Sequence, residues 1–250
     1  VGSSGDPNDQ GFDLFFGYNC QRVAHSYYPP HLWRNKDKLI INKHPIPGHK
    51  KKPQGEVTMD QWFDENYAPK LVLEEAISFI RKNSKRPFFL YLAHLYVHLP
   101  IYVQDRFVRQ STNGRYGAAV QCIDWSTGAL LAEIRALGLD EDTVVVFTSD
   151  NGALIRDGGG SNGALRASKG TTWEGGQRVP CIVRWPGRVP AGQTVPEVVN
   201  AMDLYPTIAG WCGVDVPGDR TLDGRDISTP LEGGDPPPEA PLFHLPRRHV

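Results

Sequence analysis

The chain has 250 residues, a formal net charge of -1, 40% hydrophobic and 22% charged residues, which is the composition of an ordinary soluble globular protein. A charge so near zero gives no electrostatic argument for a nucleic-acid partner, and no apolar stretch is long enough to cross a bilayer. Four widely spaced cysteines (Cys20, Cys122, Cys181, Cys212) form no C-x-x-C pair, so neither a zinc site nor a disulfide framework is indicated.

Residues 1–11 are polar and turn-rich, with no initiator Met and no signal-peptide pattern. Either processing has removed a beginning or the chain is a piece of a longer protein. Residues 12–17 read as a short buried strand or turn. Residues 19–35 interleave aromatics with Arg22, His25, His31 and Arg34, which suits either a packed loop or a polar pocket for a sugar ring and an anion. Residues 36–54 are Lys- and Pro-rich, with a small apolar run at 39–41 and Lys50, Lys51 and Lys52 in succession, and read as an irregular or hairpin connection on the surface. Thr58 and Gln61 resemble a capping box. Beyond Pro69, Leu73, Ala76, Ile77 and Ile80 recur at helical spacing, predicting an amphipathic helix that ends near Asn83.

Residues 88–97 (F-F-L-Y-L-A-H-L-Y-V) form a continuous apolar run and predict a buried strand. His94 and His98 sit at or past its end. Leu95 follows His94, so the H-E-x-x-H of a zincin helix is absent, and each histidine is either structural or a site residue. Tyr116, Val120, Ile123, Thr127, Leu130, Ile134 and Leu137 predict a second helix over 114–137, stopped by Gly138. Residues 143–152 (T-V-V-V-F-T-S-D-N-G) predict a buried strand that delivers Asp150 and Asn151 at its carboxyl end, where open α/β sheets place their ligands. Both side chains offer oxygens suited to a hard cation, although Asn-Gly is equally a strong turn pair.

Gly158, Gly160 and Gly163 satisfy G-x-G-x-x-G, but no apolar helix follows, so no dinucleotide site is read. Residues 164–176 are small, polar and glycine-rich and read as loop. Lys169 there is either a surface lysine or a point charge for an oxyanion. Residues 179–185 predict a strand and 203–213 a short helix starting at Asp203, with Pro206 in its first turn. Residues 221–232 read as turn-rich and the tail as extended. Helix alternating with buried strand predicts an α/β fold with a mainly parallel central sheet flanked by helices.

The stretches T-S-D-N-G-A, S-K-G-T-T-W-E-G-G-Q-R-V-P-C-I-V-R-W-P-G, A-M-D-L-Y-P-T-I-A and L-D-G-R-D-I-S-T-P-L, in that order, resemble type I sulfatases of the arylsulfatase family. So do G-F-D-L-F-F-G-Y-N and P-F-F-L-Y-L-A-H-L-Y-V-H-L-P, and the likeness runs from about Gly11 to about Leu242. The resemblance implies an alkaline-phosphatase-like core with residues 1–188 in the large domain. Residues 189–250 either end that domain or begin a small C-terminal subdomain. It implies hydrolysis of sulfate esters, with sulfated carbohydrates the commonest substrate class, using Ca²⁺ and a formylglycine made from Cys or Ser. By position, Asp150 and Asn151 match the Ca²⁺-binding D-N pair. Lys169 matches the lysine that contacts the sulfate and the formylglycine. His98 matches the histidine that contacts sulfate and helps protonate the leaving oxygen, and His25 falls in the substrate pocket.

The family's nucleophile motif, C/S-x-P-S-R, occurs nowhere in the chain. Its paired N-terminal aspartates and its G-K-W-H-like segment are missing too. The missing parts are contiguous and the matching parts intact, which fits a chain lacking the family's N-terminal part better than a decayed enzyme. The 250 residues alone are therefore expected to turn over nothing and to hold Ca²⁺ weakly. Two rivals are a phosphodiesterase or phosphonate hydrolase of the same superfamily and a non-catalytic, sulfatase-like binding module. By resemblance, relatives are often periplasmic, secreted or lysosomal. The sequence assigns this chain neither a compartment nor an oligomeric state.

Overall fold

The computed structural model describes residues 3–41, 67–155 and 159–235. The Thr58–Gln61 capping box, the Lys50, Lys51 and Lys52 run, Gly158 and the tail past residue 235 lie outside the described residues. The chain divides into two compact units, Val1–Leu137 and Gly138–Val250. No helix among the described residues is long and apolar enough to cross a membrane.

After a 3-10 helix at Pro7–Gln10, the first unit runs through β1 (Phe16–Gly17), α1 (Gln21–Ala24), β2 (His31–Arg34) and β3 (Asp37–Ile40), followed by α2 (Ala68–Asn83), α3 (Asp105–Gln110) and α4 (Gly114–Ala136). The strands form an antiparallel sheet in the order β1-β2-β3, with Phe16 opposite Arg34 and His31 opposite Ile40. A two-residue turn, Asn35-Lys36, joins β2 to β3. Asn35 takes the left-handed conformation at φ 53°, which asparagine tolerates better than most residues. Its side-chain oxygen accepts from the Phe15 amide at 2.8 Å, pinning the start of β1 to the turn. Residues 19–35 thus resolve into a short helix and a hairpin strand rather than a loop.

The predicted α2 is present. Its buried residues Pro69, Leu73, Ala76, Ile80 and Asn83 recur at intervals of three and four, and Arg81 ties it to Glu133 of α4 through two 2.7 Å bonds. The predicted second helix is present too, with Gly138 beyond it at φ 71°, but its buried face differs. Ala118, Ala119, Cys122, Ser126 and Ile134 are buried, whereas Val120 is exposed. Ala118, Ala119 and Cys122 meet Tyr27, Tyr28, Tyr67, Tyr96, Val103 and Phe107 in one core. The bulk there comes from tyrosines, so the helix contributes little side-chain volume.

The strand predicted over 88–97 is not formed. The segment joins no sheet and turns at Tyr96 and Val97, with Phe89 61% and Tyr91 74% exposed. A run becomes a strand only when a neighbouring strand takes up its N–H and C=O groups, and no strand pair among the described residues includes it.

The second unit contains β4 (Val145–Thr148), α5 (Glu174–Gln177), β5 (Cys181–Arg184), α6 (Leu204–Trp211) and α7 (Ser228–Leu231). β4 and β5 pair antiparallel, with Val145 opposite Arg184 and Thr148 opposite Cys181. Every strand pair among the described residues is antiparallel, so the parallel sheet expected from the sequence is not seen there. Parallel pairing requires a crossover, usually a helix. Between β4 and β5 the described residues hold only the one-turn helix α5 beside loop. β4 is half-buried rather than fully buried.

The helix expected from Asp203 begins with a 3-10 turn at Ala201–Asp203. Asp203, 1% exposed, accepts from the amides of Asn200 at 2.8 Å and Arg225 at 2.9 Å. A Cβ on Gly224 would lie 2.0 Å from the Met202 carbonyl oxygen. The L-D-G-R-D stretch is therefore a dock for the start of α6. Its other end is α7, within a segment read as turns.

Candidate functional site

β4 ends at Thr148, so Asp150 and Asn151 fall just past a strand end, Asp150 exposed and Asn151 half-buried. Backbone bonds stitch the next residues to the glycine-rich loop. The Gly152 amide donates to the Gly176 carbonyl at 3.1 Å, and the Lys169 amide donates to the Ala153 carbonyl at 3.1 Å. The approach is so close that a Cβ on Gly152 would lie 2.0 Å from the Gly175 oxygen. The Asn162 side chain works like a strand partner. Its oxygen accepts from Ala153 N at 2.9 Å, and its amide nitrogen donates to the carbonyls of Ala153 at 3.2 Å and Ala167 at 2.9 Å.

The loop is also closed internally. Gly175 N donates to Arg166 O at 2.8 Å, and Thr171 Oγ1 donates to Ser168 O at 2.8 Å. The Arg166 guanidinium carbon stands 3.6 Å from the Trp173 ring centroid, a cation–π contact. Lys169 is half-buried on this loop. Asp150, Asn151 and Lys169 thus belong to one cross-braced segment. Sequence reasoning gave no site role to Asn162, Gly152, Gly175 and Gly176, which build it. The available signals were the Asn162-Gly163 turn pair and the doubled glycine at 175–176.

In the first unit His25 caps the end of α1, and its ring lies 4.9 Å from that of His98, centroid to centroid. His98 is exposed, and its Nδ1 is 2.7 Å from the Leu99 carbonyl. A carbonyl only accepts, so Nδ1 carries a proton and Nε2 is the nitrogen that can gain or lose one. His94 is of a different kind. Its Nδ1 accepts from the Tyr96 amide at 3.2 Å, and burial pushes its pKa down to about 4. It is a neutral structural histidine. It lines a cavity of about 650 Å³ with Leu73, Ile77, Trp125 and Ser126. Neither His25 nor His98 lines that cavity.

No group of three or more His, Cys, Asp or Glu side chains able to hold a metal occurs among the described residues. Asp150 and Asn151 fit Ca²⁺ in donor type, being hard oxygens beyond a strand end. They supply two of the roughly six to eight oxygens the ion takes.

A carboxylate and a carboxamide thus lie just beyond a strand end whose backbone is stitched to the loop that carries Lys169. The sulfatase family profile matches residues 2–214, and the chain belongs to that family. It is 44% identical to steryl-sulfatase of Mus musculus over 167 residues, covering 64% of this chain and 27% of that protein. It is 44% identical to N-acetylgalactosamine-6-sulfatase of Canis lupus familiaris over 167 residues, covering 65% of this chain and 32% of that protein. The structure of Ps i-CgsB, solved with k-i-k-neocarrahexaose, superposes with a TM-score of 0.72 at 28% identity over 91% of this chain and 51% of that one. The chain spans about a third or less of the two relatives' length.

Proposed function

We propose that the chain is part of a sulfuric ester hydrolase acting on sulfate esters, with carbohydrate sulfates as the substrate class. The observation that carries this is the backbone bond from Lys169 to Ala153, which sets an ammonium-bearing residue beside the Asp150-Asn151 strand end in a chain of the sulfatase family. The names N-acetylgalactosamine-6-sulfatase and neocarrahexaose among the similar proteins support the carbohydrate class. So does the aromatic segment around His25.

In this reading Asp150 and Asn151 hold Ca²⁺ together with further oxygen donors. The ion, when bound, polarises the sulfate. Lys169 lends positive charge to the sulfate oxygens as negative charge builds on them, which counts for more where water is excluded. His98, with Nδ1–H tied to Leu99, delivers a proton from Nε2 to the leaving oxygen. His25 stands beside it as a substrate-binding group. Residues 1–188 belong to the large domain, and the nucleophile is a formylglycine outside these 250 residues.

The 250-residue chain should therefore not turn over a fluorogenic aryl sulfate. A longer protein carrying C/S-x-P-S-R ahead of it should hydrolyse sulfate esters, lose activity with a calcium chelator, and prefer sulfate to matched phosphate and phosphonate esters. A preference for phosphonate would select the rival hydrolase. A coding sequence with no such motif upstream would select the binding module.

A further inference from the structure

Tyr27 follows His25 by two residues and is 1% exposed. Its hydroxyl is shared between two carbonyls, His98 at 2.9 Å and Leu95 at 3.3 Å. Those carbonyls bracket the turn that carries His98, since the His98 amide itself donates back to Leu95 O at 3.1 Å. Tyr27 is anchored at its other end as well. Its carbonyl accepts from the Ala68 amide at 3.0 Å, at the first residue of α2. Its ring lies 6.0 Å from Tyr67 and 5.4 Å from Tyr96, centroid to centroid. Burial raises its phenol pKa well above the ordinary tyrosine range, so the hydroxyl remains a donor.

The His98 imidazole is on the surface, where a loop side chain ordinarily samples several rotamers. Here the backbone beneath it is clamped by a buried hydroxyl, and the same short segment, 25–27, lays the His25 ring against it. We propose that Tyr27 is the positioning residue for His98: its bond to the His98 carbonyl, together with the placement of His25, holds the imidazole with Nδ1–H on Leu99 and Nε2 presented outward. The proposal rests on the reading of His98 as the proton donor. A tyrosine that merely filled the core would keep the fold without controlling the imidazole, and the two roles separate experimentally.

The test uses the 250-residue chain with ¹⁵N-labelled histidine, read by long-range ¹H–¹⁵N spectra of the imidazoles. In the wild type His98 should show one tautomer, protonated at Nδ1, with proton contacts to the His25 ring. Tyr27→Phe should give a tautomer average and lose those contacts. Tyr67→Phe is the control, because its hydroxyl donates to Tyr102 O at 2.7 Å rather than to the His98 turn. It should leave the His98 signals in place. An unchanged His98 in Tyr27→Phe, or an equal change in both variants, overturns the proposal. Should Tyr27→Phe fail to fold, the wild type decides: a slowly exchanging Tyr27 hydroxyl proton in contact with the Leu95 and His98 backbone is required, and its absence overturns the idea. In the longer protein Tyr27→Phe should lower kcat about 10- to 100-fold with KM within about threefold, and an unchanged kcat counts against it. If that protein hydrolyses no sulfate ester, the functional reading fails, while the imidazole spectra still decide the role of Tyr27.

Discussion

Gly152→Ala tests the bracing of the candidate site most directly. Gly152 does not have a positive φ, so alanine meets no backbone penalty there. The obstacle is contact: a Cβ would sit 2.0 Å from the Gly175 oxygen and 2.8 Å from its carbonyl carbon. Both atoms are backbone, so no rotamer change relieves the clash, and the strand end must part from the loop. Overpacking of this kind costs about 1–3 kcal/mol. Losing the 3.1 Å bond from Gly152 N to Gly176 O costs about 0.5–1.5 kcal/mol more. A total of about 2–4 kcal/mol corresponds to roughly 30- to 900-fold more frequent local opening. The assay is amide hydrogen exchange at Lys169 and Gly175, whose N–H groups are bonded within this brace. Gly128→Ala is the matched control, because nothing lies within 4 Å of its Cβ. It removes a glycine from the middle of α4 and should stabilise the helix by up to about 1 kcal/mol. Exchange at Lys169 and Gly175 within threefold of wild type in Gly152→Ala would falsify the cross-brace.

Asp203→Ala leaves the buried amides of Asn200 and Arg225 without their acceptor and should cost about 2–4 kcal/mol in urea unfolding followed through Trp211; a midpoint equal to wild type would show that the two segments do not depend on this carboxylate. For His94 the folded pKa is about 4 against an ordinary 6.5. Between those values the unfolded chain binds a proton that the folded chain does not. Stability is therefore full above pH 6.5 and falls as pH drops toward 4, by about 3 kcal/mol once both values are passed. His94→Gln should flatten this part of the stability–pH curve, and an equally steep loss in the variant would assign the acid sensitivity to other groups. Asp150→Ala should weaken Ca²⁺ binding in the longer protein at least tenfold by calorimetry without moving its thermal midpoint in chelator; unchanged affinity would remove Asp150 from the proposed metal site.

The helices were legible because their signal is local. The spacing of Leu73, Ala76 and Ile80 places α2 without reference to any other part of the chain. The strands were less so, because a strand is defined by a neighbour that the sequence does not name. The run at 88–97 has the composition of a buried strand yet forms no ladder, and β2 was hidden behind the unremarkable turn pair Asn35-Lys36. The face of α4 was misjudged because large apolar residues were expected inward. A core already filled by five aromatic side chains, among them Tyr27 and Phe107, leaves room only for Ala118, Ala119 and Cys122.

The candidate site divides along the same line. Asp150 and Asn151 announced themselves by chemistry at the end of a β-branched run. Lys169 had no such signal and was placed by resemblance, and the structure supplies a physical reason for the block in which it sits. A Cβ on Gly175 would meet Ala167 O at 2.2 Å, and one on Gly176 would meet Thr171 O at 2.4 Å. Neither position admits a side chain while the loop keeps its path. Much of the K-G-T-T-W-E-G-G block therefore specifies a backbone course rather than a reaction. A chain that retains the block retains the course, and with it the point at which the Lys169 backbone meets the Asp150-Asn151 strand end. In the proposed function the chemistry is assigned to Asp150, Asn151 and Lys169. Their spacing depends on residues whose contribution is to have no side chain at all, which is why a search for reactive groups passes over them.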